Sequence, residues 1–189
     1  MPQPSVWQPD AMRLVNPGTP GATPVRVTSL EMTAPPEMRV PTPAGAALVV
    51  VDAPRPDLSR DFYANVGGDW HWVDRRDWTL EQWTAWVDRP EHHLLICEHE
   101  GDPAGYAELE EQPGGHVEIA YFGLLSQARG HGLGRWWLAA VTAYAWSLSD
   151  TGRVWVRTCD LDSPAALPNY LRRGFAEFAE ETEWRLPTT

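Results

Sequence analysis

The stretch Arg129-Gly130-His131-Gly132-Leu133-Gly134, called the glycine turn below, is the most informative motif of this chain. It lies between a predicted long strand, His116–Leu125, and a predicted helix that runs from Leu133 to Leu148. Three glycines at alternate positions let the backbone approach a ligand and expose its N–H groups. The first helical turn adds unpaired N–H donors and the positive end of the helix dipole. The stretch therefore predicts a phosphate or pyrophosphate site, with a tight turn that binds nothing as the alternative.

Two other phosphate-binding motifs do not fit this stretch. A dinucleotide-binding fingerprint requires G-x-G-x-x-G, and its third glycine would fall on Arg135. That fingerprint also needs a parallel pair of strands, whereas the strands before the glycine turn predict an antiparallel meander. A P-loop needs G-K-[ST] after its first glycine, and the sequence has no such group here.

On the N-terminal side of the glycine turn, the sequence predicts strands and helices in a mixed order. Short apolar runs bounded by turn residues predict strands, and apolar residues at helical spacing predict helices. Thr79 and Gln82 form a capping box that opens the second of these helices. The predicted strands are Val25–Met32 (at an edge), Ala47–Val51, His93–Cys97, Ala104–Glu110 and His116–Leu125, and the first helix is Asp57–Val66.

On the C-terminal side, a strand at Val154–Cys159 follows the long helix. Ser163 and Pro164 fit the cap and first turn of a short helix, in which Pro168 removes one hydrogen bond. The alternating stretch from Phe175 to Leu186 predicts a final hairpin. Residues 1–24 are rich in Pro, Gly and Thr and predict a poorly ordered extension, which leaves residues 25–189 as a single domain.

The composition narrows the possible partners. The formal net charge is −11, with 26 acidic and 15 basic residues. This balance argues against nucleic acid and is compatible with a cationic partner such as an amine. No apolar run approaches the roughly 18 residues of a membrane span, and no signal peptide is recognisable, so a cytoplasmic protein is expected. Two cysteines without CxxC spacing and histidines without ligand spacing predict no metal site.

Two motifs together resemble the GNAT superfamily of N-acetyltransferases. The first, [QR]-x-x-G-x-[GA], is matched by Arg129, Gly132 and Gly134, and the second, Y-x-x-x-G-F, by Tyr170, Gly174 and Phe175. The resemblance covers roughly Ala47 to Leu186. It implies an α/β (mixed α+β) GNAT fold with a mainly antiparallel central sheet of about six to seven strands flanked by helices.

The resemblance also implies acetyl-CoA as co-substrate and assigns residues to it. In the family, backbone N–H groups of the glycine turn hold the pyrophosphate, and the preceding strand bulges and separates from its neighbour along the pantetheine arm. A backbone N–H near Leu124 would polarise the acetyl carbonyl, and Tyr170 would protonate the leaving thiolate. Ser163 stands where the family often has an Asn that contacts CoA. The implied cofactor-binding residues are Phe122, Gly123, Leu124, Arg129, Gly130, His131, Gly132, Leu133, Gly134 and Ser163.

Three glutamates are candidates for the proton acceptor and for binding of the amine. Glu118 occupies a position where some family members carry a base, and its apolar neighbours favour burial, which raises the pKa of a carboxyl group. Its alternative is a solvated strand residue. Glu108 and Glu110 share one face of the preceding strand and would hold a cationic substrate or relay a proton, or they are surface charges.

The tryptophan segment, Asp69–Trp78, is the other unusual feature. In the family this loop forms part of the acceptor site. Trp70 and Trp72 flank His71, beside Asp69 and Asp74, and their ring faces would enclose an aliphatic or cationic amine. The alternative is a loop anchored by aromatic packing.

These observations predict an N-acetyltransferase that moves an acetyl group directly from acetyl-CoA to a primary amine of a small molecule. Three alternatives stay open: a protein or peptide acceptor, an acyl group larger than acetyl, and a non-catalytic acyl-CoA-binding sensor of the same fold. A homodimer is also left open. No G-x-S-x-G motif indicates a hydrolase.

Overall fold

The computed structural model describes residues 12–37 and 39–187. Within these ranges the chain forms eight strands and four α-helices. The elements in chain order are β1 (Met12–Val15), β2 (Thr23–Met32), β3 (Ala46–Val51), α1 (Pro56–Gly67), α2 (Leu80–Val87), β4 (His92–His99), β5 (Asp102–Gln112), β6 (His116–Leu124), α3 (Leu133–Ser147), β7 (Arg153–Cys159), α4 (Ala166–Arg172) and β8 (Ala176–Pro187). No helix among these residues is long and apolar enough to span a bilayer.

All eight strands belong to one sheet in the order β1-β8-β2-β7-β6-β5-β4-β3. Every neighbouring pair is antiparallel except β6 and β7, which are parallel. The predicted meander is β4-β5-β6. The structure confirms the mixed fold and the mainly antiparallel sheet, with one strand more than the upper predicted number.

Helices cover the sheet on both faces because successive strand residues point to opposite sides. Leu95 of β4 packs into the core beneath α3, whereas its neighbours Leu94 and Ile96 pack beneath α1 and α2. The α3 face is sealed by Trp137, which is fully buried. The α1 and α2 face is sealed by Trp83, which is 1% exposed. The predicted capping box opens α2, where the Thr79 N–H donates to Gln82 Oε1 at 2.8 Å.

The two ends of the sequence meet in a way that local patterns did not predict. Strand β2 is not at an edge, because β7 and β8 hydrogen-bond to its two sides. The predicted C-terminal hairpin is wrong, since 176–187 form the single strand β8 between β1 and β2. The segment 176–187 has no internal turn residue at which the chain could reverse. Strand β2 pairs with it where the second strand of a hairpin would lie. Within the predicted N-terminal extension, 12–15 form β1, and residues 1–11 lie outside the described part of the chain.

Candidate active site

The two parallel strands β6 and β7 separate halfway along β6. Their pairing ends at Ile119 and Val156, although β6 continues to Leu124. A register shift against β5 leaves Ala120 as an extra residue, which is a bulge that bends the strand. The separation predicted from the family resemblance is therefore present, and the bulge lies before Phe122 rather than within 122–124.

A cavity of about 500 Å³ lies at this separation and is called the first cavity below. Its walls come from β6, the glycine turn, the start of α3, the end of β7, α4 and the tryptophan segment. Of the predicted site residues, those that line it are Trp70, Trp72, Phe122, Gly123, Leu124, Arg129, Gly130, Gly132, Leu133, Gly134, Ser163 and Tyr170. His131, His71, Glu108, Glu110 and Glu118 are not part of its lining.

The glycine turn adopts a backbone that suits glycine. Gly130 and Gly132 have φ values of 81° and 76°, in the left-handed region that side chains rarely occupy. Gly132 is the N-cap of α3, and a Cβ atom on either glycine would meet nothing within 4 Å. The backbone conformation, rather than crowding, accounts for these two glycines. The turn thus presents bare backbone and the first turn of a helix to the cavity.

The start of α3 is fixed from two sides. The Leu133 side chain is 1% exposed in the core, so that only its backbone can face a ligand. The Asn169 side-chain amide donates to the Gly134 carbonyl at 3.2 Å and ties α4 to α3. Sequence analysis did not single out Asn169, which lines the cavity one turn of helix from Ala165.

Tyr170 lies in α4 between two other aromatic rings. It is 5% exposed, and its ring centroid is 6.3 Å from that of Phe122 and 5.8 Å from that of Phe175. Burial, with a further contribution from Asp162, raises its pKa well above the ordinary value for tyrosine. Its hydroxyl therefore keeps a proton at neutral pH. Pro168 is the third residue of α4, where a backbone N–H has no partner within the helix, so the proline costs no hydrogen bond there.

Positive charge gathers around the cavity although the chain is acidic. The Arg129 side chain donates to the Leu124 carbonyl at 3.2 Å and to Asp69 at 2.7 Å, and it lies 4.8 Å from the Trp70 ring. It thereby joins the glycine turn to the tryptophan segment. Arg135 and Arg172 also line the cavity, and neither forms an ion pair within the described ranges.

The tryptophan segment is held by ring packing. Trp72 contacts the rings of Tyr63, Tyr106 and Tyr121 at centroid distances of 5.6, 6.3 and 5.0 Å. A Cβ atom on Gly67 would lie 2.4 Å from Trp72, so this glycine makes room for the indole. His71 has a φ of 56° and forms the left-handed bend between the two tryptophans.

An aromatic enclosure for a cation exists, but the chain fills it with its own Arg75. The guanidinium carbon lies 3.4 Å from the Trp86 ring centroid, 4.4 Å from that of Tyr121 and 4.6 Å from that of Trp78. Arg75 is 8% exposed and pairs with Glu108 at 3.4 Å. Sequence analysis missed this role, because nothing local marks one arginine of the pair Arg75-Arg76 as the buried one.

Glu108 and Glu110 do not reach the first cavity. Glu108 is fully buried and accepts hydrogen bonds from Ser59, from Trp86 Nε1 at 2.5 Å and from Arg75 at 3.4 Å. Burial by itself favours its neutral form, but the hydrogen bonds and charges of His92, Ser59 and Arg75 prevail and hold its pKa below the ordinary value. Glu110 is paired with Arg89 at 2.6 Å. Both carboxylates are therefore occupied by partners within the chain.

Glu118 also lies outside the cavity. It accepts a hydrogen bond from the Gln112 amide at 2.8 Å, and burial followed by the charge of Glu110 raises its pKa. The direction agrees with the prediction from its apolar neighbours. Its role as a base stays a prediction, and a water molecule would have to carry the proton to it.

A second cavity, also of about 500 Å³, adjoins the first. Trp70, Trp72, Arg157 and Asp162 line both. The second cavity continues along the tryptophan segment to the ends of β7 and β8. The described residues contain no group of three or more His, Cys, Asp or Glu side chains arranged to hold a metal ion.

Comparison with known proteins agrees with the geometry. A family model described as Acetyltransferase (GNAT) family matches residues 52–175. No curated protein matches the chain. Among solved structures, it is similar to a GCN5-related N-acetyltransferase from Kribbella flavida at 21% identity, covering 94% of this chain and 60% of that one, with a TM-score of 0.61.

Two further solved structures have the same fold. A GCN5-related N-acetyltransferase from Sphaerobacter thermophilus is 18% identical over 89% of this chain and 53% of that one, with a TM-score of 0.68. A dodecameric spermidine N-acetyltransferase from Vibrio cholerae is 12% identical over 76% of this chain and 93% of that one, with a TM-score of 0.57. The chain spans 60% and 53% of the lengths of the first two relatives. At these identities the likeness concerns the fold alone.

Proposed function

Since the chain belongs to the GNAT acetyltransferase family, whose members carry out acyl transfer, we propose that it moves an acetyl group from acetyl-CoA directly to a primary amine of a small molecule. One observation carries this proposal. The separation of β6 from β7, the glycine turn and the hydroxyl-bearing ring of Tyr170 all open into the same cavity.

The first cavity fits a ligand with phosphate groups at one end. The N–H groups of the glycine turn and the N-terminus of α3 suit a pyrophosphate. Arg135 and Arg172 also line this cavity and form no ion pair within the described part of the chain, although the net charge of the whole chain is −11. Acetyl-CoA brings the acetyl group as a thioester, and the apolar wall formed by Phe122 and Leu124 suits the pantetheine arm.

Other residues of the same cavity suit acyl transfer. Beyond Ile119, strand β6 has no pairing with β7, so its N–H groups on that side are available to a carbonyl oxygen of the ligand. Such donors stabilise the negative charge that develops on this oxygen during attack. Tyr170 retains its proton and would donate it to the departing thiolate.

Direct transfer fits better than a covalent enzyme intermediate. Cys97 is fully buried, and burial raises the pKa of its thiol to about 12. Burial likewise raises the pKa of Cys159, which does not line the first cavity. Neither thiol is therefore a ready nucleophile. The amine would attack the thioester itself, and holding the two reactants together would supply much of the acceleration.

The test measures release of free CoA thiol from acetyl-CoA across polyamines, amino acids, aminoglycosides and short peptides. Thiol release that depends on one class of small amine is the expected outcome. Release only with peptides would favour a protein acceptor. Tight acetyl-CoA binding without thiol release with any amine would contradict the proposal and favour a non-catalytic sensor. A faster reaction with longer acyl-CoA esters would show that the transferred acyl group is larger than acetyl.

A further inference from the structure

The second cavity is rich in charged residues, and most of them already have partners. Arg157 and Arg185 both pair with Glu183, at 3.0 and 2.8 Å. Asp77 pairs with Arg76 at 3.2 Å. These contacts neutralise most of the charge on the side of the cavity formed by β7 and β8.

Asp162 has one of its carboxylate oxygens, Oδ2, in use. Its carboxylate accepts from the Thr158 hydroxyl at 2.7 Å and from the Cys159 N–H at 3.0 Å, which holds the turn after β7. Arg13, on the edge strand β1, also lines the cavity, but it is a cation and would not bind an amine. A cationic ligand in the second cavity would therefore need a carboxylate that has no close cationic partner of its own.

Among the carboxylates that line the second cavity and not the first, Asp77 and Glu183 have close cationic partners, and the remaining one is Asp74. Its carboxylate accepts hydrogen bonds from the hydroxyl groups of Tyr63, at 2.9 Å, and Tyr121. Both hydroxyls are neutral, since burial raises the pKa of each tyrosine above its ordinary value. Its nearest cation, Arg75, is 3.9 Å away and already pairs with the buried Glu108. The Asp74 side chain is 61% exposed, so a ligand can reach it.

The position of Asp74 determines which part of a ligand it can bind. Asp74 lines the second cavity and not the first, whereas Phe122, Gly123 and Tyr170 line the first and not the second. The reacting nitrogen must enter the first cavity to reach the thioester. A positive charge held by Asp74 is consequently a different group of the same molecule, and Trp70 and Trp72 line both cavities between which that molecule would extend.

We propose that the acceptor amine carries a second positive charge, which Asp74 binds in the second cavity while the reacting amine enters the first. Tyr63 and Tyr121 are positioning residues that hold the carboxylate. The acceptor class is thus a diamine or a longer polyamine. This inference rests on the proposed acetyl transfer and adds the identity of the acceptor to it.

The experiment compares three acceptors of equal length that differ only at the far end. They are 1,4-diaminobutane, 4-amino-1-butanol and 4-aminobutanoate, which end in a cation, a neutral hydroxyl and an anion. The specificity constant kcat/KM for each is measured with the wild-type protein, with Asp74→Asn and with Asp160→Asn. Asp160 is a matched control, because it pairs with Arg26 and lines neither cavity.

We expect the wild-type protein and Asp160→Asn to prefer the diamine over the amino alcohol by about tenfold, which corresponds to about 1.4 kcal/mol. Asp74→Asn should lose this preference, with unchanged KM for acetyl-CoA and an unchanged melting temperature. Added salt should weaken the preference in the wild-type protein. A diamine preference that persists in Asp74→Asn, or a preference for 4-aminobutanoate, would overturn the inference.

Binding of 1,4-diaminobutane by calorimetry, without acetyl-CoA, separates this inference from the proposed function. Binding that Asp74→Asn abolishes, in a protein that releases no thiol, would retain the acceptor site and reject the acetyl transfer. Thiol release with all three acceptors at equal efficiency would retain the transfer and reject the role of Asp74.

Discussion

The glycine turn and the tryptophan segment border the same cavity but contribute to it by different means. The glycine turn offers backbone, with open space at Gly130 and Gly132 where side chains would stand. The tryptophan segment offers side chains, and their rings are already engaged by residues of the chain itself: Trp70 by Arg129, Trp72 by three tyrosines and Trp78 by Arg75. A site built from backbone conformation is thus encoded locally, whereas a site built from side chains depends on partners brought together by the whole fold.

The largest loss of stability should come from removing Glu108, the buried carboxylate that pairs with Arg75 of the tryptophan segment. Replacing Glu108 with alanine leaves Arg75 and His92 buried without their carboxylate. We expect the free energy of unfolding to fall by about 3–5 kcal/mol, as for other buried pairs that lose one partner. Chemical denaturation measures this. The control is Glu110→Ala on the same strand, whose partly exposed pair with Arg89 should cost about 1 kcal/mol or less; equal losses would contradict the distinction.

Filling the open space of the glycine turn should be almost as costly, but for binding rather than folding. Gly132→Trp places an indole where the pyrophosphate is expected, and we predict an acetyl-CoA dissociation constant raised by at least about 100-fold, or about 2.7 kcal/mol. Calorimetry measures it. Gly132→Ala carries the same backbone strain, about 1–2 kcal/mol, without the bulk. Normal affinity in Gly132→Trp would reject the phosphate site.

The chemistry next to the glycine turn can be separated from binding at Tyr170. Tyr170→Phe removes only the hydroxyl, and the ring keeps its packing against Phe122 and Phe175. We expect kcat to fall about 10- to 100-fold while the affinity for acetyl-CoA is retained, as for loss of a general acid. Steady-state kinetics with one amine tests this, and an unchanged kcat would remove the acid role.

A smaller effect on acetyl-CoA affinity is expected at the ion pair that joins the glycine turn to the tryptophan segment. Asp69 pairs with Arg129, which lines the first cavity, and the two side chains are partly exposed at 45% and 30%. Asp69→Asn should change stability by less than about 1 kcal/mol, because exposed pairs contribute little. It should also tighten acetyl-CoA binding about threefold, since a negative charge near the phosphates is removed. Weaker binding would instead mean that the pair holds the cavity in shape.

The smallest effect on stability is expected at Glu118, which lies outside both cavities. Its raised pKa means that the folded state holds the proton more firmly than the unfolded state. Stability should therefore fall as pH rises above the ordinary pKa of glutamate, and Glu118→Gln should flatten that fall. As the predicted base, Glu118 should also shape the pH dependence of catalysis, so that Glu118→Gln flattens the pH–rate profile. A retained profile would point to another base.

The sequence predicted the residues whose role is local and missed those whose role depends on distant partners. The glycine turn, the capping box at Thr79 and the meander follow from dihedral preferences, hydrogen bonding within a few residues and alternation. Glu108 and Glu110 are indistinguishable in a strand pattern, and only the covering α1 and α2 make one a buried anchor and the other an ion-pair partner. The role of Arg75 could not be predicted, because its partners Trp86, Glu108 and Tyr121 lie in three separate elements, α2, β5 and β6.

The same contrast applies to the strands. The pattern of Val25–Met32 indicates a strand but not its neighbours, because pairing in a sheet is decided by residues far away in the sequence. The absence of a turn within Ala176–Pro187 could have argued against the predicted hairpin. The bulge at Ala120 left no local mark, since it is defined only by the shift of β6 against β5.

The place of β2 between β7 and β8 has a consequence for how the protein is made. Arg26 and Asp160, which pair across this junction, are 134 residues apart. At a synthesis rate of about 5–20 residues per second, β2 leaves the ribosome roughly 7–27 s before the strand that covers its first side. During that interval an apolar strand has both hydrogen-bonding sides free and can pair with the wrong chain. Insertion of β2 is thus expected to be the last and slowest step of folding, and the nascent chain is most prone to aggregate just before it.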